Sequence, residues 1–100
     1  MTTRYKIVFS PESEDQLAQL YWYIASAGSP ETALSYTQAI LEDCESLMTF
    51  PDRGTPRDDI RMGLRITHYR GRVVIPYSVF DTTVHILGIF YGGQDYESLI

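Results

Sequence analysis

The sequence predicts an α+β fold in which the elements follow the order β-α-α-β-β-β. Helix-start signals in the first half of the chain and closely spaced strand patterns in the second half predict this order. An N-terminal strand and an antiparallel helical hairpin are therefore expected to pack on a mainly antiparallel, twisted sheet. A chain of 100 residues supports one hydrophobic core, so residues 1–100 are predicted to form a single domain.

The first element is a strand ending at Phe9. Apolar Tyr5, Ile7 and Phe9 alternate with charged Arg4 and Lys6. A period of two is typical of a strand with one buried face.

Two helices follow, each with the same start signal. Ser10-Pro11-Glu12 and Ser29-Pro30-Glu31 each place a capping hydroxyl, a proline and an acid in succession. Gly28 ends the first helix, and the second ends before Pro51. The short linker predicts an antiparallel hairpin. Its outer face is expected to be acidic, because the segment from Pro11 to Phe50 has seven acidic residues and no basic one.

Three adjacent aromatic residues lie in the first helix. Tyr21 shares the apolar face of this helix, so Trp22 or Tyr23 is expected to be partly exposed. Such a ring is either an ordinary surface residue or a contact for another protein.

Three strands are predicted after a loop over residues 51–61, namely 63–68, 72–80 and 83–91. The short connections between them predict antiparallel hairpins. Pro76 donates no backbone hydrogen bond, so a bulge or an unpaired side is expected at that point. Gly92-Gly93 ends the last strand, and residues 94–100 form a short tail.

Arginine is concentrated in one stretch of an acidic chain. The net charge is −5, yet six of the eight basic residues lie between Arg53 and Arg72. Arg53 and Arg57 are either solvated loop charges paired with nearby aspartates or contacts for a partner. Alternation with Leu64 and Ile66 places Arg65 either on the sheet face opposite the helices or in a partner groove. With Arg70 and Arg72 near the next turn it is expected to form a basic edge.

Several function classes are disfavoured by composition. No apolar run approaches the length of a membrane span and no signal-peptide pattern is present, so a cytoplasmic protein is expected. Cys44 is the only cysteine and shares an apolar helix face, which favours a buried thiol. The two histidines have no metal-site spacing, and no glycine-rich phosphate loop is present. We therefore expect neither a metal nor a cofactor.

Motifs spread along the chain carry a resemblance to a known family. They are Phe9-Ser10-Pro11-Glu12, Tyr21-Trp22-Tyr23-Ile24, Phe50-Pro51-Asp52-Arg53-Gly54, Gly63-Leu64-Arg65, Tyr77-Ser78-Val79, Ile86-Leu87-Gly88-Ile89-Phe90-Tyr91-Gly92 and Asp95. In this order they resemble the ParE branch of the RelE/ParE toxin superfamily. Its members are toxins of type II toxin-antitoxin (plasmid stabilisation) modules.

The resemblance implies a toxin that is neutralised by a cognate ParD-like antitoxin in a hetero-oligomer and that inhibits DNA gyrase. It implies binding rather than catalysis, with no catalytic residue, no membrane partner and no direct specific nucleic-acid binding. The residues expected to contact the antitoxin or gyrase are Arg57, Arg61, Arg65, Arg70, Arg72, Tyr91, Gln94 and Tyr96.

Two alternatives remain open at this point. A RelE-like, ribosome-dependent mRNA endoribonuclease would need an acid, a base and cations for the phosphorane. The chain offers candidates in Tyr91, Tyr96, His68, His85, Arg65 and Arg72. However, Ser78 and Gln94 stand where the family commonly has arginine, which disfavours RNA cleavage. The second alternative is a non-toxic member of the fold that only binds its partner.

Overall fold

The computed structural model describes residues 4–93 and 96–99 and confirms the predicted α+β class. The elements in chain order are β1 (Lys6–Phe9), α1 (Pro11–Ala27), α2 (Pro30–Glu45), β2 (Thr55–Pro56), β3 (Leu64–Tyr69), β4 (Val73–Phe80), β5 (Thr83–Ile86), β6 (Phe90–Tyr91) and α3 (Tyr96–Leu99). A 3₁₀ turn, Ser46–Met48, extends α2. Within the described residues, no helix is long and apolar enough to cross a membrane.

The two helix starts form as predicted. The Ser10 hydroxyl accepts a hydrogen bond from the Ser13 amide at 3.0 Å, and the Ser29 hydroxyl accepts one from the Thr32 amide at 3.1 Å. The Gly28 amide donates to the Ile24 carbonyl at the end of α1. These caps satisfy backbone groups that the helix ends leave without an intrahelical partner.

The strands form one sheet in the order β1-β5-β4-β3-β2, with β6 also paired to β4. β1 and β5 are parallel, and the other pairs are antiparallel. The prediction that residues 51–61 form only a loop is wrong, because the short strand β2 lies within them. It pairs Thr55 and Pro56 with Ile66 and Arg65 at the sheet edge.

A bulge lies opposite Pro76, as expected. Tyr77 pairs with Ile86 and Val74 pairs with Phe90, so two residues of β4 face residues 87–89 of the neighbouring strand. The Leu87 amide donates to the Pro76 carbonyl at 2.9 Å across this interruption. The predicted strand over 83–91 is therefore two strands, β5 and β6, separated by residues 87–89, one residue more than β4 has on the other side.

The sheet register assigns each side chain to one of two faces, because cross-strand partners in a sheet point to the same side. Tyr77 and Ile86 lie in the core with Leu20 and Ile40, so their face packs on the helical hairpin. The opposite face also has buried residues, namely Leu64, Ile66, Pro76 and Phe90. The Phe90 ring lies 6.2 Å from the Tyr96 ring, so α3 packs against this side of the sheet at Phe90.

Ser10→Ala is expected to lower the free energy of unfolding by about 1–2 kcal/mol, at the upper end for a helix cap. Besides capping α1, the Ser10 hydroxyl donates to the Leu87 carbonyl at 3.2 Å and so ties the helix to the bulge. Urea denaturation measures the change. Ser29→Ala is the matched control, because its capping bonds are exposed and local to α2. Equal losses in the two variants would contradict the role of the bulge contact.

Candidate functional site

The predicted arginine set is divided between the two ends of the β3–β4 hairpin. Arg65 lies at the start of β3, whereas Arg70 and Arg72 lie in the turn at its end. Five residues of extended chain separate Arg65 from Arg70, about 17 Å. The prediction that Arg65, Arg70 and Arg72 form one basic edge is therefore wrong, because Arg65 lies far from the other two.

Arg65 also lies on the other face from the one predicted. Its cross-strand partner is Tyr77, whose side chain belongs to the core under the helices. The Arg65 guanidinium donates to the Gly54 carbonyl at 2.7 Å and to the Asp52 carbonyl at 3.1 Å. The alternation within β3 was interpreted correctly, but only the register with β4 shows which face is which. Arg65 therefore holds the 52–54 loop on the sheet.

Tyr77 closes the same loop from inside the core. Its hydroxyl accepts from the Gly54 amide at 2.8 Å and donates to the Pro51 carbonyl at 2.7 Å. A Cβ atom at position 54 would lie 2.7 Å from the Tyr77 hydroxyl oxygen and 2.9 Å from the Ile66 carbonyl oxygen. Glycine is thus required for this close approach. Burial raises the pKa of Tyr77, so the hydroxyl stays protonated and can donate.

Arg57 joins the loop before β3 to α3. It donates to both Asp59 carboxylate oxygens at 3.0 Å, to the Tyr96 hydroxyl at 3.1 Å and to Glu97 at 3.3 Å. The hydrogen bond to Asp59 raises the pKa of Arg57, and the same bond lowers the pKa of Asp59. The predicted pairing of Arg57 with a nearby aspartate is confirmed. Arg57 and Tyr96 thus have partners within the chain.

Arg53 pairs with Asp43, ten positions earlier in the chain, and with none of the predicted partners Asp52, Asp58 and Asp59. Its guanidinium lies 3.5 Å from the Asp43 carboxylate and donates to the Ser46 hydroxyl, at the C-terminal end of α2. Asp58 instead accepts from the Gly63 amide at 2.8 Å. Arg53 therefore fixes the loop to the helical hairpin.

Arg70 and Arg72 differ from these arginines. Arg70 and Gly71 have φ angles of 53° and 69°, which makes a tight turn that leaves both arginine side chains exposed. The Arg70 guanidinium carbon lies 5.6 Å from the centroid of the Tyr69 ring, a cation–π distance. Within residues 4–93 and 96–99, neither Arg70 nor Arg72 forms an ion pair.

Four tyrosines from four elements meet beside this turn. Tyr36 of α2 lies 5.5 Å from Tyr69 of β3 and 6.4 Å from Tyr91 of β6, measured between ring centroids. Tyr23 of α1 lies 6.1 Å from Tyr91. We call these tyrosines and the two arginines of the turn the hairpin-tip cluster: Tyr23, Tyr36, Tyr69, Arg70, Arg72 and Tyr91.

The Tyr36 hydroxyl is buried at the centre of this cluster and has no hydrogen-bond partner among the described residues. Burial raises the pKa of Tyr36, as do Tyr91 and Tyr69, whereas Arg72 and Arg70 lower it. The positive charges of both arginines therefore favour the ionised form of this hydroxyl, against the effect of burial. A buried hydroxyl without a partner is unusual in a folded protein.

Two surface cavities flank the Tyr36–Tyr91 pair. One, of about 350 Å³, is lined by Tyr23, Tyr91 and the side chains of Gln16 and Gln19 among others. The second, of about 220 Å³, lies between α2 and the hairpin tip and is lined by Tyr36, Tyr69 and Arg70 together with Thr32 and Ser35. The hairpin tip is thus a concave, aromatic and positively charged surface.

Of the residues considered for RNA cleavage, Tyr91 and Arg72 lie together in the hairpin-tip cluster, but the two histidines and Arg65 do not form one site with them. His68 pairs with Val74 and His85 pairs with Ser78, on the sheet face away from the helices. Four residues and two strand spacings separate the histidines, roughly 16 Å. Arg65 lies on the opposite face, bonded to the loop. Burial raises the pKa of the Cys44 thiol to about 12, which makes it a poor nucleophile.

Some predicted residues lie elsewhere or outside the described chain. Arg61 is exposed in the turn before β3, away from the hairpin tip. Gln94 lies outside the described residues, as does Asp95. The prediction that Trp22 or Tyr23 is partly exposed is confirmed, since the exposed fractions are 67% and 61%.

Sequence reasoning missed Tyr23, Tyr36 and Tyr69 as members of one site. The available signal was a count of eight tyrosines in 100 residues, which says nothing of position. Tyr36 and Tyr69 meet only because α2 crosses the end of the β3–β4 hairpin. Their proximity is a tertiary property with no counterpart in local spacing.

Comparisons with known proteins point to one family. A family model described as the ParE toxin of type II toxin-antitoxin system, parDE, matches residues 7–96. Among solved structures, the chromosomal ParDE TA system from P. aeruginosa is similar, with a TM-score of 0.77 and 23% sequence identity. The match covers 89% of this chain and 97% of that one, which shows the shared fold. No curated protein matches the chain.

Proposed function

The chain belongs to the ParE toxin family of type II toxin-antitoxin systems, and we propose that it inhibits DNA gyrase by binding it. We further propose that a cognate ParD-like antitoxin neutralises it in a hetero-oligomer. The toxin role follows from the family match over residues 7–96. Gyrase as the target, neutralisation by an antitoxin and the residues that contact either partner are our proposals.

The observation that supports a binding surface is that some arginines form ion pairs within the chain and others do not. Arg53, Arg57 and Arg65 are bonded within the chain. Arg61, Arg70 and Arg72 form no ion pair with a described residue, and of these three it is Arg70 and Arg72 that lie beside partly exposed tyrosines. Tyrosine and arginine dominate the energetics of protein interfaces. We therefore assign the hairpin-tip cluster as the surface that meets gyrase.

Inhibition by binding is favoured over catalysis. A metal-free ribonuclease needs its acid, base and cations around one phosphate. In the described chain, His68, His85 and Arg65 are spread over two faces of the sheet. The hairpin tip offers tyrosines and arginines for contact, whereas His68, which precedes Tyr69, belongs to the opposite face of the sheet.

The antitoxin is proposed to cover part of the same hairpin tip. The two arginines attract a partner segment that carries carboxylates, although the net charge of the whole protein is −5. Exposed Tyr23 adds apolar contact area next to them. Overlap of the two contacts would explain neutralisation by exclusion.

A supercoiling assay tests this proposal. Purified toxin is expected to stop supercoiling by gyrase when in excess, and prior addition of the cognate antitoxin is expected to restore it. Toxin unfolded by heat is the control for non-specific inhibition. If gyrase supercoiled DNA at its normal rate in the presence of saturating, folded toxin, the proposal would be wrong. Codon-position cuts in ribosome-bound mRNA would instead support the nuclease alternative, and normal growth on induction without antitoxin would support a non-toxic member.

A further inference from the structure

The two edges of the sheet differ in how well they are protected from another strand. At one edge, β2 has two residues, and one of them is Pro56, which donates no backbone hydrogen bond. Short edge strands and proline both prevent a further strand from pairing with a sheet. At the other edge, β1 has four residues, contains no proline and pairs only with β5.

The backbone of β1 has hydrogen-bonding groups that point away from the sheet. The Lys6 and Ser10 amides donate to carbonyls in and beside β5, at 2.8 and 3.0 Å. Successive residues of a strand direct their backbone groups to opposite sides. The amides and carbonyls of Ile7 and Phe9 therefore point outward, and no described residue bonds to them on that side.

The open part of this edge is short and has defined ends. Before it, the Tyr5 amide is already bonded to the Met48 carbonyl at 3.1 Å. After it, Pro11 begins α1 and has no N–H. The edge therefore offers an incoming strand the two amides and two carbonyls of Ile7 and Phe9.

The β1 strand of a second copy complements this edge. In an antiparallel arrangement, Ile7 of each copy pairs with Phe9 of the other, so that both copies use both outward residues. A shift of two residues in either direction would place an open residue opposite Tyr5 or Pro11, neither of which has a free amide. Val8, whose side chain is 48% exposed, then lies opposite Val8 of the second copy. Pairs of a β-branched and an aromatic side chain across two strands, such as Ile7 with Phe9, stabilise a sheet.

The charges on either side of β1 favour the same arrangement. Arg4 and Lys6, at its start, are exposed, as are Glu12 and Glu14 beyond its end. Within the described chain, none of these four side chains forms an ion pair. In the antiparallel arrangement, the basic end of each copy lies beside the acidic end of the other, and Arg4 lies nearest to Glu12. A parallel arrangement would bring like charges together.

We propose that two copies of the protein join through β1 about a twofold axis and form one continuous sheet. Such an interface is isologous, because each strand offers the same residues to the other. The contact is short, so a dissociation constant of about 10–100 µM is expected. The hairpin-tip cluster contains no residue of β1, so the dimer carries two of these clusters. The dimer does not depend on the inhibition of gyrase.

Sedimentation equilibrium of the purified toxin, at concentrations on both sides of this value, tests the proposal. Val8→Lys is expected to weaken self-association by at least about tenfold, because it places two like charges side by side at the centre of the paired strands. Met62→Lys is the matched control, since it makes the same change at a side chain that is 87% exposed and lies outside β1. It is expected to change the dissociation constant by less than about threefold.

A charge exchange tests the register of the two strands. Arg4→Glu and Glu12→Arg are each expected to weaken self-association by about tenfold, because each brings like charges together twice in the dimer. An equimolar mixture of the two variants is expected to associate within about threefold of the parent protein, because both contacts of the mixed dimer then join opposite charges.

Three results would overturn the proposal. They are a toxin that stays monomeric at about 1 mM, equal dissociation constants for Val8→Lys and Met62→Lys, and a mixture that associates no better than the single variants. A monomeric toxin that loses affinity for its antitoxin on Val8→Lys would assign the edge to an extended segment of the antitoxin instead. Sedimentation contains no gyrase, so its result is separate from that of the supercoiling assay.

Discussion

Replacing Tyr77 by phenylalanine is expected to lower the free energy of unfolding by about 2–4 kcal/mol. The Tyr77 hydroxyl accepts from the Gly54 amide and donates to the Pro51 carbonyl, and the side chain is fully buried. Phenylalanine would leave both backbone groups without their partner. Each such group costs about 1–3 kcal/mol when water cannot replace the lost bond.

Tyr36→Phe is the matched control, because it removes another buried tyrosine hydroxyl. The Tyr36 hydroxyl bonds to no described residue, so its removal is expected to leave stability unchanged or slightly higher. Urea denaturation of both variants, followed by circular dichroism, measures the contrast. Losses within about 0.5 kcal/mol of each other would contradict the role given to the Tyr77 hydrogen bonds.

The elements that the sequence predicted well are those set by local chemistry. Ser10 and Ser29 cap helices because a hydroxyl before a proline and an acid satisfies the first free amides. Pro76 predicted the bulge because a residue without an N–H cannot hold a regular ladder. Each of these outcomes depends on a few adjacent residues.

The features that the sequence did not predict depend on tertiary contacts. Alternation showed that Arg65 and Leu64 point to opposite faces, but both faces of this sheet are buried in part. Hydrophobicity therefore did not identify the face under the helices, and Arg65 was placed on the wrong one. The partner of Arg53 was missed for the same reason, since Asp43 is ten positions away and approaches only through folding.

Changing Arg70 and Arg72 together to glutamine is expected to weaken inhibition of gyrase by at least about 100-fold. The two guanidinium groups are exposed, form no ion pair with a described residue, and lie at the tip of one hairpin beside Tyr69 and Tyr91. Arginines of this kind commonly cost about 2 kcal/mol or more of binding energy when truncated at an interface. The concentration of toxin that halves supercoiling is the measurement.

Folding and charge are separated from binding by two controls. Because Arg70 and Arg72 are exposed, the free energy of unfolding of the double variant is expected to lie within about 1 kcal/mol of that of the parent protein. Arg61→Gln is the charge control, since Arg61 is exposed at the other end of β3. It is expected to change inhibition by less than about threefold, as for a charge outside the contact. If Arg61→Gln weakened inhibition as much as the double variant, net positive charge rather than the hairpin tip would govern the interaction. If the folded double variant inhibited gyrase fully, the hairpin tip would not be the contact surface.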